Sequence, residues 1–94
     1  MVSFIIPNHN KAAFLAETIQ SLLSQTIGDW VAIFVDDGST DDSLKIIQEY
    51  SIKDNRISLV ALEKQKNASV CRNIGITNAE GDYVIFMDSD DVLE

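Results

Sequence analysis

A chain of 94 residues has room for one domain and no more. Fifteen Asp and Glu stand against seven Lys and Arg, a net charge of −8, and 46% of the residues are apolar. That composition supports a core and excludes a disordered chain, and its acidity argues against a nucleic-acid phosphate binder.

Four apolar runs have the β-branched and aromatic content of strands: Val2–Pro7, Trp30–Asp36, Ile57–Leu62 and Tyr83–Asp88. All but the third are almost continuously apolar, as strands covered on both faces are. Between the first two, Leu15, Ile19 and Leu22 with Leu23 follow helical spacing, and Gly28 stops that helix. A second helix is predicted over Asp41–Tyr50, opened by Ser39, Thr40, Asp41 and Asp42, which are good N-cap and first-turn residues. A third, over Ser69–Asn78, places Val70, Ile74 and Thr77 on one side, and Gly81 and Asp82 turn the chain into the last strand. The order βαβαβαβ predicts an α/β fold, an open and mainly parallel sheet of about four strands with helices on both faces.

No apolar run approaches the roughly 18–20 residues of a membrane span. The N-terminus lacks the basic-then-apolar pattern of a secretory signal. The single cysteine, Cys71, excludes an internal disulfide. These features read as a soluble, cytoplasmic domain.

The acid is concentrated. Asp36, Asp37, Asp41 and Asp42 form one patch, and Asp88, Asp90, Asp91 and Glu94 another. In an open parallel sheet, ligands bind beyond the carboxyl ends of the strands. Three polar clusters fall there: Pro7, Asn8, His9 and Asn10; Asp36, Asp37, Gly38 and Ser39; and Asp88, Ser89, Asp90 and Asp91.

In extended backbone, Asp88 and Asp90 project the same way and can reach one cation; the alternative is an acidic loop capping a following helix. Oxygen ligands without a nearby thiolate or imidazole favour Mg²⁺ or Mn²⁺. Asp36 and Asp37 can accept from a base imide or from ribose hydroxyls, or can simply support the turn at Gly38. Arg72 is either the one fixed cation at this edge or a surface arginine. His9 can stack on a base or fill the turn after the first strand. Cys71, within a helix, reads as a small buried residue. A nucleotide carries a pyrophosphate, and the chain has no G-x-G-x-x-G or GK[ST] loop to cradle one. A divalent ion between carboxylates and phosphates resolves that conflict.

Taken in order, these segments resemble the N-terminal half of family 2 glycosyltransferases, inverting enzymes with a GT-A fold. The matching pieces are Val2 to Pro7 with Asn10, Ser21 to Thr26, Val35 to Asp41, Arg72 to Ile76, Ala79 to Tyr83, and Asp88 to Asp91. His9 stands where the family usually has Tyr, and Gln65, Lys66 and Asn67 where it often has Asn-x-Gly.

The resemblance implies a Rossmann-like nucleotide-sugar-binding unit over residues 1–94, with the acceptor half and its general base in a segment absent here. It implies that Asp37 binds a base imide, most simply uracil, supported by Asp36. Pro7, Asn8, His9 and Asn10 would line the base pocket, Arg72 would contact the nucleotide, Asp90 would ligate Mn²⁺ or Mg²⁺, and Asp88 would contact ribose or the metal shell. The implied partners are a UDP-sugar and, in a full-length enzyme at the inner face of the membrane, an acceptor saccharide or lipid-linked saccharide. Two other readings are a non-catalytic nucleotide-binding or protein-interaction module and a Mg²⁺-dependent phosphate-transfer enzyme. The latter expects an Asp after the first strand, where this chain has Asn8, His9 and Asn10. An unpaired edge at Tyr83–Met87 is expected to favour a homodimer.

Overall fold

Runs of Val, Ile and Phe form strands because branched and aromatic side chains fit a pleated, buried surface. The computed structural model describes residues 1–24, 29–63, 67–79 and 83–89. In it the runs become β1 (Val2–Asn8), β2 (Trp30–Asp37), β3 (Ile57–Leu62) and β4 (Tyr83–Phe86). The helices are α1 (Ala12–Leu23), α2 (Ser43–Lys53) and α3 (Ala68–Asn78). All strand pairs are parallel, in the order β3-β2-β1-β4. The chain therefore steps outward from β1 to β3, then returns to the other side of β1. The reversal of strand order lies at β1.

Side-chain alternation separates two cores. Phe4, Ile6, Ala32, Phe34 and Ile57 face Leu15, Ile19 and Leu22 of α1 and Ile47 of α2. On the other face, Ile33 and Val35 pack with Cys71 of α3, joined by Val60, Leu62 and Ile74. Trp30 is buried at the start of β2, edge-on to Phe4 with ring centroids 6.2 Å apart. The Arg56 guanidinium lies 4.2 Å from the Trp30 ring centroid.

Helix α3 sits unusually close to β1. A Cβ on Gly75 would collide with the side chain of Ile5, so only glycine permits this approach. Cys71 is one turn earlier on the same helix face and is fully buried.

Strand β4 departs from expectation. Its continuous apolar run predicted cover on both faces, yet Tyr83, Val84, Ile85 and Phe86 are all exposed, Tyr83 at 67%. It is an edge strand that pairs with β1, and among the described residues its main packing partner is that strand. It also ends at Phe86, two residues before the predicted end, although Met87 N–H still donates to the Ile5 carbonyl at 3.0 Å.

Candidate functional site at the carboxyl edge of the sheet

The register Asn8↔Asp36 brings the ends of β1 and β2 level. Pleating then sends Asp36 and Asp37 to opposite faces. Asp36 is fully buried and its carboxylate is spent on structure. Oδ1 accepts from Asn8 Nδ2 at 2.8 Å and from Ser39 Oγ at 2.6 Å, and Oδ2 accepts from Ser39 N–H at 2.9 Å. Asn8 is thereby assigned to the same buried lattice. Its Oδ1 is buried with no partner among the described residues. Gly38, at φ 70°, makes the turn that lets Ser39 fold back onto Asp36.

Asp37 continues the row of Ile33 and Val35 towards α3, and it is 5% exposed. There its negative charge acts on the Cys71 thiol. Burial, followed by the negative charge of Asp37, pushes the Cys71 thiol up to about 11. Cys71 is thus a protonated thiol at neutral pH and not a nucleophile.

His9 is fixed by the polarity of its contacts. Nδ1 lies 2.8 Å from the Asp37 carbonyl, which only accepts, so Nδ1 carries the proton. Nε2, 3.3 Å from Asn10 Nδ2, then accepts from that amide. The amide cannot be the other way round, because Asn10 Oδ1 accepts from Thr40 N–H at 2.8 Å and from Asp41 N–H at 3.3 Å. Asn10 has φ 52°, a left-handed conformation that Asn tolerates. Its own N–H donates to Ser39 Oγ at 3.0 Å. The loops after β1 and β2 are therefore one hydrogen-bonded unit.

Asp41 extends that unit to two helices. Its Oδ2 accepts from Ala12 N–H, the first residue of α1, at 3.0 Å, and its Oδ1 from Ser43 N–H, the first of α2, at 2.9 Å. The flanking residues Lys11 and Asp42 supply no side-chain cap. Slight burial acts to raise the Asp41 pKa, but the Ser43 side chain and the donating N–H groups outweigh it and hold the carboxyl below its usual value.

Asp88, exposed, lies two residues beyond the last ladder pair Ile5↔Phe86. The segment is tied to α1 by Thr18 Oγ1, which donates to the Ser89 carbonyl at 2.6 Å. Arg72, half-buried on the first turns of α3, has its guanidinium 6.0 Å from the Phe86 ring centroid. Asn67 caps α3 by accepting from Val70 N–H at 2.9 Å, with extended backbone. Asp90, Asp91 and Glu94, with Gln65 and Lys66, lie outside the described residues. Pro7, Asn8, His9, Asn10, Asp36, Asp37, Arg72 and Asp88 all fall at the carboxyl edge. Two clefts, of about 420 and 220 Å³, open at the opposite edge beside Arg56.

Sequence reasoning missed Thr18, whereas Cys71 is the small buried residue it expected. The signal for Thr18 was a polar residue inside the apolar stripe of α1; nothing in the sequence marked Cys71 as facing Asp37.

The rim and its parallel sheet coincide with a known pattern: the family model described as glycosyl transferase family 2 matches residues 3–94. The chain belongs to glycosyl transferase family 2. Among family relatives, the putative teichuronic acid biosynthesis glycosyltransferase TuaG of Bacillus subtilis is 43% identical over 97% of this chain. That match covers 36% of TuaG, so this chain spans about a third of that relative. The structure of S. aureus TarS 1-349 matches with a TM-score of 0.89 and 34% identity over 97% of this chain and 28% of that one. TarS 1-349 has also been solved with UDP and with UDP-GlcNAc. The mannosyltransferase PcManGT of Pyrobaculum calidifontis, in complex with GDP-Man and Mn²⁺, shares the fold at TM-score 0.84 and 20% identity, over 95% of this chain and 27% of its own. The sheet is therefore the Rossmann-like part of a GT-A fold.

Proposed function

We propose that this chain is the nucleotide-sugar-binding part of an inverting glycosyltransferase that uses a UDP-sugar with Mn²⁺ or Mg²⁺. The observation that carries the reading is Asp37, a carboxylate 5% exposed at the end of a central strand, on the same rim as His9, Arg72 and Asp88. The TarS complexes with UDP and UDP-GlcNAc support it.

Asp37 accepts the imide N–H of uracil. The Pro7–Asn10 loop walls the base, with the His9 ring held in one tautomer beside it. Arg72 offsets the diphosphate charge, and Asp36 and Asn8 act from beneath by fixing the turn. Asp88 contacts ribose or the metal shell, and Asp90 is the direct ligand.

The donors this rim offers a cation are oxygens, which suits Mg²⁺ or Mn²⁺. No group of three His, Cys, Asp or Glu able to hold a metal occurs among the described residues. A cation here would share its coordination with the ligand's diphosphate, as Mg²⁺ sites with one or two carboxylates do. When bound, it supplies neutralisation of charge on the departing diphosphate. The acceptor hydroxyl and its general base fall to other segments of a longer enzyme, acting on a saccharide or lipid-linked saccharide.

No helix among the described residues is long and apolar enough to cross a membrane, and the reading places the unit in the cytoplasm, at the inner face of the membrane in a full-length protein. The exposed β4 edge supports pairing with a second copy.

Thermal melting with UDP, with and without Mn²⁺, tests the reading. At ten times its Kd a ligand adds about 1.4 kcal/mol, several degrees for a domain of this size. The shift should need Mn²⁺, and Asp90→Ala should remove that dependence. A shift indifferent to both would favour a metal-independent nucleotide module instead.

A further inference from the structure

Asp88 is an exposed residue between two buried ones. Before it, Met87 packs into the core with Phe4, Ile6, Leu15 and Ile19, and its N–H donates to the Ile5 carbonyl at 3.0 Å, just past the last ladder pair. After it, Ser89 is 3% exposed, and its carbonyl accepts from Thr18 Oγ1 at 2.6 Å. Thr18 is itself fully buried, in the stripe of α1 that carries Leu15, Ile19 and Leu22.

A threonine inside a helix commonly turns its hydroxyl back to a carbonyl three or four residues earlier. Thr18 instead gives its hydroxyl proton to a main-chain carbonyl 71 positions later in the sequence. A buried carbonyl without a donor is costly, and the ladder of β1 and β4 has already ended at Ile5↔Phe86. The peptide unit is planar, so holding the Ser89 carbonyl also sets the direction in which the main chain continues. We propose that Thr18 is a positioning residue for the divalent ion of this site: by pinning the Ser89 carbonyl, its hydroxyl fixes the acidic segment after β4 for metal binding. The inference rests on the proposed function, in which Asp88 and Asp90 serve the metal. Being fully buried, Thr18 acts through the main chain and not by contact with ion or nucleotide.

The test is titration of the full chain with Mn²⁺ at fixed UDP, free Mn²⁺ being read by electron paramagnetic resonance, and with UDP at saturating Mn²⁺. Thr18→Val keeps the shape and removes the donor. It should raise the Mn²⁺ Kd by about threefold to tenfold, the worth of one ordinary hydrogen bond. Its UDP Kd at saturating Mn²⁺ should match wild type. Thr18→Ala should repeat the loss with a smaller side chain, and Thr18→Ser, which keeps a hydroxyl, should restore Mn²⁺ affinity. Ile19→Val loosens the same buried helix face without touching the bond and should leave both constants unchanged. Wild-type Mn²⁺ affinity in Thr18→Val or Thr18→Ala, an equal loss in Thr18→Ser or Ile19→Val, or equal weakening of UDP overturns the proposal. Asp90→Ala separates the two levels: it should abolish Mn²⁺ uptake, and if it takes up Mn²⁺ as wild type does, the reading of the metal site itself fails.

Discussion

Asp36 and Asp37 are neighbours in sequence and opposites in the fold: one is locked beneath the sheet's edge against Asn8 and Ser39, the other meets Cys71 on the α3 side. The pleat of β2 is the cause, and it divides one acidic pair into a carboxylate enclosed by the turn after β2 and one turned towards α3. Removing them should therefore give different phenotypes. Asp36→Ala removes the acceptor of the Ser39 N–H, the Ser39 hydroxyl and the shorter Asn8 Nδ2 bond, and should cost roughly 1–3 kcal/mol of stability, read by urea unfolding.

Asp41 joins two helix N-termini through one carboxylate. Asp41→Ala should cost roughly 1–2 kcal/mol, the usual worth of a cap, with more expected here because two helices lose it. Its lowered folded pKa also has a pH signature. A depressed carboxyl pKa contributes stability that is fully present above the unfolded value of about 4 and is lost as pH falls through the lower folded one. Wild type should lose stability over that acid range more steeply than Asp41→Asn, measured by denaturant melts at stepped pH.

Gly75→Ala places a methyl where the Ile5 side chain already lies. The collision should cost about 1–3 kcal/mol despite alanine's better helix propensity. A melt equal to or above wild type would mean that α3 lies further from β1 than described. Ile5→Ala, which removes the colliding Cγ2, should cost less in the Gly75→Ala background than in wild type.

Much of this was legible in the sequence. Unbroken apolar runs at β1 and β2 announced strands buried on both faces, and Leu15, Ile19 and Leu22 announced the inner face of α1. The convergence of Asn8–Asn10, Asp36–Asp37 and Asp88 followed from parallel topology alone. What stayed hidden depends on three-dimensional neighbours. The same apolar pattern that describes the buried β2 describes β4, because hydrophobicity does not report which strand lies at an edge. Nor does the string Ser39 to Asp42 reveal that Ser39 folds back to Asp36 while Asp41 caps two helices. Those assignments depend on the left-handed Asn10 and on the turn at Gly38.

The β4 edge carries its own expectation. Tyr83, Val84, Ile85 and Phe86 form an exposed apolar strand with β1 as its one strand neighbour among the described residues. Light scattering of the chain should show mass rising with concentration, and Val84→Lys should return it to monomer. A constant monomer mass for the parent chain would count against edge pairing.

In the proposed function, Asp37 is the residue that meets the nucleotide base. Calorimetric titration of UDP in Mn²⁺ tests it most directly when Asp37→Ala is set beside Asp42→Ala, an exposed acid of the same patch that changes charge equally. Loss of at least about tenfold in affinity, confined to the Asp37 variant, is the predicted result. Equal affinities for the two variants would contradict it.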